Sequence, residues 1–241
     1  MVVESSFHSK CEKIDAFSQV IRLHKDVSEQ FLENQNNGIN TWDDAWRELI
    51  YCVLAGTQVS TNMVQKSYFD LISHEDILNY KKIKRYPEKT EEEIVKILKS
   101  NGYRFHNTKA KTLINAALYF ENLIKQYPDF KKMDWYTTRI RLIKNVNGIG
   151  NKIASHWLRN IGFSIPIIDI HVRRVLCCAK LLNEKYLKSQ ITEKEYLDIE
   201  KEVIEISKER SIDVAKLDYI LWQHGKKYCS RKACHICPLN L

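Results

Sequence analysis

Lys152 stands two residues beyond a tight glycine turn, Asn147-Gly148-Ile149-Gly150, and an apolar run further along the chain ends in Asp169. Gly148 and Gly150 both permit positive φ and close backbone approach. A helix opening at Asn151 would point free N–H groups outward, which makes a ready phosphate site. Lys152 falls in the first turn of that helix. The macrodipole disfavours a cation there, which favours the free amine needed to attack a carbon. Asp169 is a good helix N-cap, and a carboxylate fixed in that way can manage charge beside a reacting centre. A phosphate holder, an amine and a carboxylate together point to chemistry on a nucleic acid. The plain alternatives are a glycine turn kept for helix packing, a lysine that only touches phosphate, and an aspartate that only caps.

Helical periodicity positions these groups. Ile140, Leu142, Ile143 and Val146 before the turn, with Ile153, Ala154 and Trp157 after it, can pack two helices together as a helix-hairpin-helix. The second helix spans 151–161 and closes at Gly162. An extended apolar segment around Pro166 then delivers Asp169 to a helix over 170–180. Thr41 with Asp44, Thr90 with Glu93, and Thr192 with Glu195 each read as a capping box that opens a helix. Ser60 caps another, and Asn107 opens one that ends at Pro128. The run Leu49 to Ala55 is apolar on all sides and predicts a buried central helix. Glu12 to Glu33 is a long helical pattern, and a last helix over 212–222 stops at Gly225.

The fold class is therefore all-α. We expect two helical lobes with a cleft: residues 40–165 with the hairpin, and 1–39 with 166–241. The chain has 241 residues, 44% hydrophobic, enough to bury a core, and only 7 Gly and 4 Pro, which argues against a many-turned β architecture. Its formal net charge of +8 favours a polyanionic partner. No signal peptide and no membrane-length apolar run is evident. The odd number of cysteines, 7, suits a reducing, cytoplasmic setting better than a disulfide framework.

The segment 144–176 resembles the helix-hairpin-helix DNA glycosylases, the superfamily of endonuclease III. It is most similar to the second, mainly archaeal family of 8-oxoguanine DNA glycosylase/lyases. GIGNKIASHWLRNIGF looks like that family's hairpin helix and IIDIHVRRVL like its aspartate segment. GYRFHNTKAKTLI at 102–114 and LDYILW at 217–222 extend the likeness. The resemblance implies base excision repair by a monomer acting on double-stranded DNA with damaged bases. Lys152 would attack C1′ of a flipped nucleotide, expel the base and form a Schiff base for β-elimination. Asp169 would stabilise the sugar's positive charge. Gly148, Gly150 and Asn151 would hold a phosphate through backbone N–H groups, and His171 would touch phosphate or orient Asp169. Phe105 and Trp222 would sandwich the base, and Gln58 would fill the gap it leaves. Arg173 and Arg174 face either DNA or solvent.

Catalysis by this scheme requires no cofactor. Cys229, Cys234 and Cys237 form C-x4-C-x2-C near the chain end, so the tail reads as metal-free, as a zinc site completed by His235 or His224, or as part of an iron-sulfur cluster. The resemblance to the 8-oxoguanine family stops at this tail. Two rivals accompany the 8-oxoguanine reading: a glycosylase for oxidised pyrimidines, as endonuclease III is, and a non-catalytic hairpin module that binds phosphate.

Overall fold

The computed structural model describes residues 16–56, 59–74, 79–230 and 233–239, without the side chains of 31–37. All regular structure among them is helical. The chain divides into two compact units, residues 36–163 and residues 1–35 with 164–241.

In the unit 36–163, helix α2 (Trp42–Ala55) is the axis; α1 (Lys25–Gly38) precedes it across the unit boundary. Thr41 and Asp44 form the reciprocal capping box at its start. Ala45, Trp46, Leu49, Ile50, Cys52, Val53 and Leu54 are buried, while Tyr51 stays half-buried. Ser60 caps α3 (Thr61–Ser73) through Met63 N–H. Helices α4 (Tyr80–Arg85) and α5 (Pro87–Ser100) follow, then the long α6 (His106–Gln126). The Phe120 ring of α6 meets Trp42, Trp46, Tyr80 and Trp157 at centroid distances of 5.4, 5.0, 5.4 and 6.2 Å. Aromatic edges and faces at such spacings attract beyond simple burial.

Thr90 does not open a helix. Pro87 takes the first helical position, where its fixed φ is pre-organised and its missing N–H is no loss. Thr90 lies one turn inside, buried, and its hydroxyl donates to Tyr86 C=O at 2.8 Å. Helix α6 begins one residue before Asn107, with Phe105 at its N-cap.

In the other unit, residues 16–23 are helical and a turn at His24 interrupts the continuous helix expected there; residues 12–15 lie outside the described residues. Helices α9 (Ile170–Cys178), α10 (Glu193–Glu209) and α11 (Val214–His224) pack around Phe17, Val172, Leu176, Ile199, Val203 and Leu221. Thr192 and Glu195 form the capping box of α10. Gly225 is the C-cap at which α11 ends, as expected, but not through a left-handed conformation. Its φ of −61° is helical, and the chain continues as a π turn through Cys229. Glycine is required there by proximity: a Cβ on Gly225 would stand 2.8 Å from both Cβ and the backbone O of His171.

Candidate active site

The hairpin lies between α7 (Trp135–Asn145) and α8 (Asn151–Asn160). Gly148 adopts φ +92°, a conformation that L side chains rarely adopt, and a Cβ on it would collide with Thr112 Oγ1 at 2.1 Å. Gly150 differs from the expectation: its backbone is extended, at φ −106° and ψ −175°, and a Cβ there would meet nothing within 4 Å. Only the first glycine is demanded by backbone shape; the second leaves open space at the start of α8.

Two anchors seat α8 on α2. Trp157 Nε1 donates to Ala45 C=O at 2.7 Å, and Ile153 lies so near Gly56 that a Cβ there would be 2.5 Å from its Cδ1. A third contact joins α8 to α7, where Arg139 Nη1 donates to Ser155 Oγ at 3.2 Å. These fix the first turn of α8, which holds Asn151 and Lys152, both half-buried. No side chain caps this helix and its first turn carries no acid. Its N–H groups and positive dipole end therefore remain available to an anion. One turn on, His156 rests against Tyr51, ring centroids 6.1 Å apart, and burial with the nearby Arg159 and Lys152 charges holds its imidazole well below the usual histidine range.

Lys109 was not foreseen. It sits in the first turn of α6 and is only 4% exposed. Burial, then the neighbouring Lys152 ammonium, pushes its pKa down to about 8. The sequence carries a signal for it: Lys109 falls on the stripe of Leu113, Ala116 and Phe120, which are all buried, so a lysine there interrupts a core-facing row.

In the other unit, the extended segment 164–168 positions Asp169. Ile167 N–H donates to Asp218 Oδ1 at 2.9 Å and Ile168 N–H to the Tyr196 hydroxyl at 3.2 Å. These bonds satisfy backbone groups in a buried strand-like stretch that has no ladder partner. Asp169 caps α9: its Oδ1 accepts from His171 N–H at 2.8 Å and Val172 N–H at 3.0 Å. Among the described residues Oδ2 accepts no hydrogen bond, and Asp169 is 9% exposed. One carboxylate oxygen thus holds the helix while the other is left without a hydrogen bond among the described residues.

His171 is half-buried, with Nδ1 3.2 Å from Ser230 Oγ. Arg173 does not lie at the surface, contrary to the expectation from the sequence. It is buried and its Nη1 donates to the carbonyls of Tyr186 at 2.6 Å and Lys188 at 2.8 Å, tying down an irregular segment. Arg174 is half-buried. Trp222 is half-buried at the edge of the core, with its ring 5.8 Å from that of Tyr219 and Lys226 Nζ 4.7 Å from its centroid. Phe105, half-buried, has the Arg104 guanidinium 4.5 Å from its ring centroid. Gln58 lies outside the described residues.

Cys178, Cys234 and Cys237 all lie near enough to Cys229 to push its thiol pKa up, together with burial. Cys237 Sγ is 3.2 Å from His224 Nε2, and Cys229 is hydrogen-bonded to Cys178. Cys234 is exposed. Among the described residues no three His, Cys, Asp or Glu side chains gather to hold a metal ion. No described helix is long and apolar enough to cross a membrane.

Comparison with known proteins bears on the family and the fold. Residues 25–212 match the 8-oxoguanine DNA glycosylase family, a span that holds the hairpin, Lys109, Lys152 and Asp169 but stops short of Trp222 and the cysteine tail. The 8-oxoguanine DNA glycosylase/AP lyase of Fusobacterium nucleatum is 29% identical over 225 residues, covering 88% of this chain and 95% of that protein. Its counterpart in Saccharolobus solfataricus is 33% identical over 204 residues, covering 83% and 89%. The crystal structure of the Methanocaldococcus jannaschii 8-oxoguanine glycosylase/lyase, in complex with a 15mer DNA containing 8-oxoguanine, shares the fold with a TM-score of 0.71 at 21% identity, covering 89% of this chain and 97% of that one. An amine and a carboxylate each fixed at a helix start, a glycine hairpin and a match over most of the chain lead to one conclusion: the protein belongs to the 8-oxoguanine DNA glycosylase family.

Proposed function

We propose that the chain removes 8-oxoguanine from double-stranded DNA and then cleaves the strand, with Lys152 as nucleophile. Lys152 Nζ bonds to C1′ of the flipped nucleotide as the bond from C1′ to the base breaks. The sugar ring opens to an imine at Lys152, and loss of a C2′ proton expels the 3′ phosphate. The free oxygen of Asp169 balances the positive charge that develops on the sugar. Backbone N–H groups at 150–152 hold a phosphate, while Phe105 and Trp222 supply aromatic faces for the base.

The observation that carries this reading is the first turn of α8: a lysine at an uncapped, acid-free helix start behind a positive-φ glycine. A phosphate-binding module needs the turn but not the lysine in that place, nor an aspartate with one unbonded oxygen. The test is borohydride trapping on duplexes carrying 8-oxoguanine or thymine glycol. A covalent adduct forms on the 8-oxoguanine duplex and disappears in Lys152→Gln, which still binds the lesion. Near wild-type base release by Lys152→Gln would reject the nucleophile, and trapping on thymine glycol alone would reject the substrate.

A further inference from the structure

Lys109 has no role in the scheme above, yet its setting is costly. It is 4% exposed, and among the described residues it has no carboxylate partner and no hydrogen bond. Lys152, on α8, is the charged group that acts on it, and it repels. Lys109 also lies in the first turn of α6, whose dipole opposes a cation, and no acid stands in that turn or in the first turn of α8. A buried ammonium so placed holds its proton less tightly and is stabilised by an anion beside it.

We propose that Lys109 is the counter-ion of a DNA backbone phosphate at the hairpin, and that DNA binding protonates it. The ligand is thus a phosphodiester, seated where α6 and α8 both present free N–H groups. Packing holds these helix starts together, since Thr112, one turn beyond Lys109, occupies the space beside Gly148. A phosphate there relieves both the burial of Lys109 and its repulsion from Lys152. In the free protein Lys109 titrates near pH 8; bound to phosphate it titrates higher. Below about pH 7 it is charged in both states and binding moves no proton. Above about pH 8 binding takes a proton up, and affinity falls as pH rises, by up to about ten-fold per pH unit.

This inference rests on DNA being the ligand. The experiment is titration calorimetry of the full chain with a duplex bearing a tetrahydrofuran abasic analogue, in two buffers of different ionisation enthalpy, at pH 6.5 and pH 9. Wild type takes up close to zero protons at pH 6.5 and about one at pH 9. Lys109→Arg, always charged, keeps binding but loses the uptake. Lys109→Met loses the uptake, binds more weakly and has a salt slope shallower by about one. No uptake by wild type, undiminished uptake by Lys109→Arg, or Lys109→Arg failing as fully as Lys109→Met would each overturn the assignment. Borohydride trapping is scored on the same preparations. Trapping without proton uptake rejects Lys109 alone, whereas no trapping rejects the glycosylase/lyase reading.

Discussion

Thr112 occupies the space into which a side chain on Gly148 would point: its Oγ1 is 2.1 Å from the place of a Cβ. Together with φ +92° this makes Gly148 intolerant of any replacement. Gly148→Ala is expected to lower the melting temperature, with strain of about 1–3 kcal/mol from backbone shape alone. Gly150→Ala meets open space and should melt as wild type does. Loss of affinity in Gly150→Ala, equal on damaged and undamaged duplexes, would then report a direct backbone contact with phosphate. A lowered melting temperature in that variant would contradict the geometry.

Asp169 caps α9 with one oxygen, the proposed reaction uses the other, and two substitutions separate these roles. Asp169→Asn keeps an acceptor for His171 and Val172 N–H, so thermal stability should hold while turnover falls sharply. Asp169→Ala removes the cap as well and should lose about 0.5–2 kcal/mol of stability. Chemical denaturation paired with single-turnover kinetics checks both. Full turnover by Asp169→Asn would leave the residue as a cap only.

Lys109→Met should stabilise the free protein near pH 7, because it removes a buried ammonium. The folded-state pKa of about 8 lies below the 10.5 of an ordinary lysine. The unfolded chain therefore binds more protons between these values, and wild-type stability gains from this residue as pH rises from about 8 to 10.5. That gain is lost again as pH falls toward 8. Melting curves across the range should show a flatter profile in the variant, and an unchanged slope would remove Lys109 as its source.

Trp222→Ala tests the aromatic face. An aromatic stack on a base contributes about 1–3 kcal/mol. Excision of 8-oxoguanine should fall by about ten-fold or more, while affinity for an abasic-analogue duplex changes little. Equal losses on both would show that Trp222 acts through the core beside Tyr219.

What could be read from the chain in advance follows the range of the interaction. The boxes at Thr41 with Asp44 and Thr192 with Glu195 close within four residues, and the structure contains both. The box at Thr90 with Glu93 has the same letters but loses to Pro87 three residues earlier, whose ring sets the helix start at no cost in hydrogen bonds. Asp169 was legible as a cap because capping is local. The division between its oxygens was not, since the segment that aims it is held by Asp218 and Tyr196, from distant parts of the chain. Arg173 read as a surface charge because its carbonyl partners lie 13 and 15 residues away in irregular chain. Lys109 was visible as part of the family-like segment 102–114 and as a break in an apolar row, and the charge that makes it informative belongs to another helix.

Gly225 carries a consequence for how this protein can vary. The helix that Asp169 caps is gripped at its first turn by a glycine outside the span shared with the family. The π turn beyond it brings Ser230 to His171, the residue whose N–H Asp169 holds. A side chain at Gly225 would press on His171 in the first turn of α9, beside the aspartate that caps it. Substitutions in the tail can therefore disturb Asp169 from a distance, without touching the residue itself.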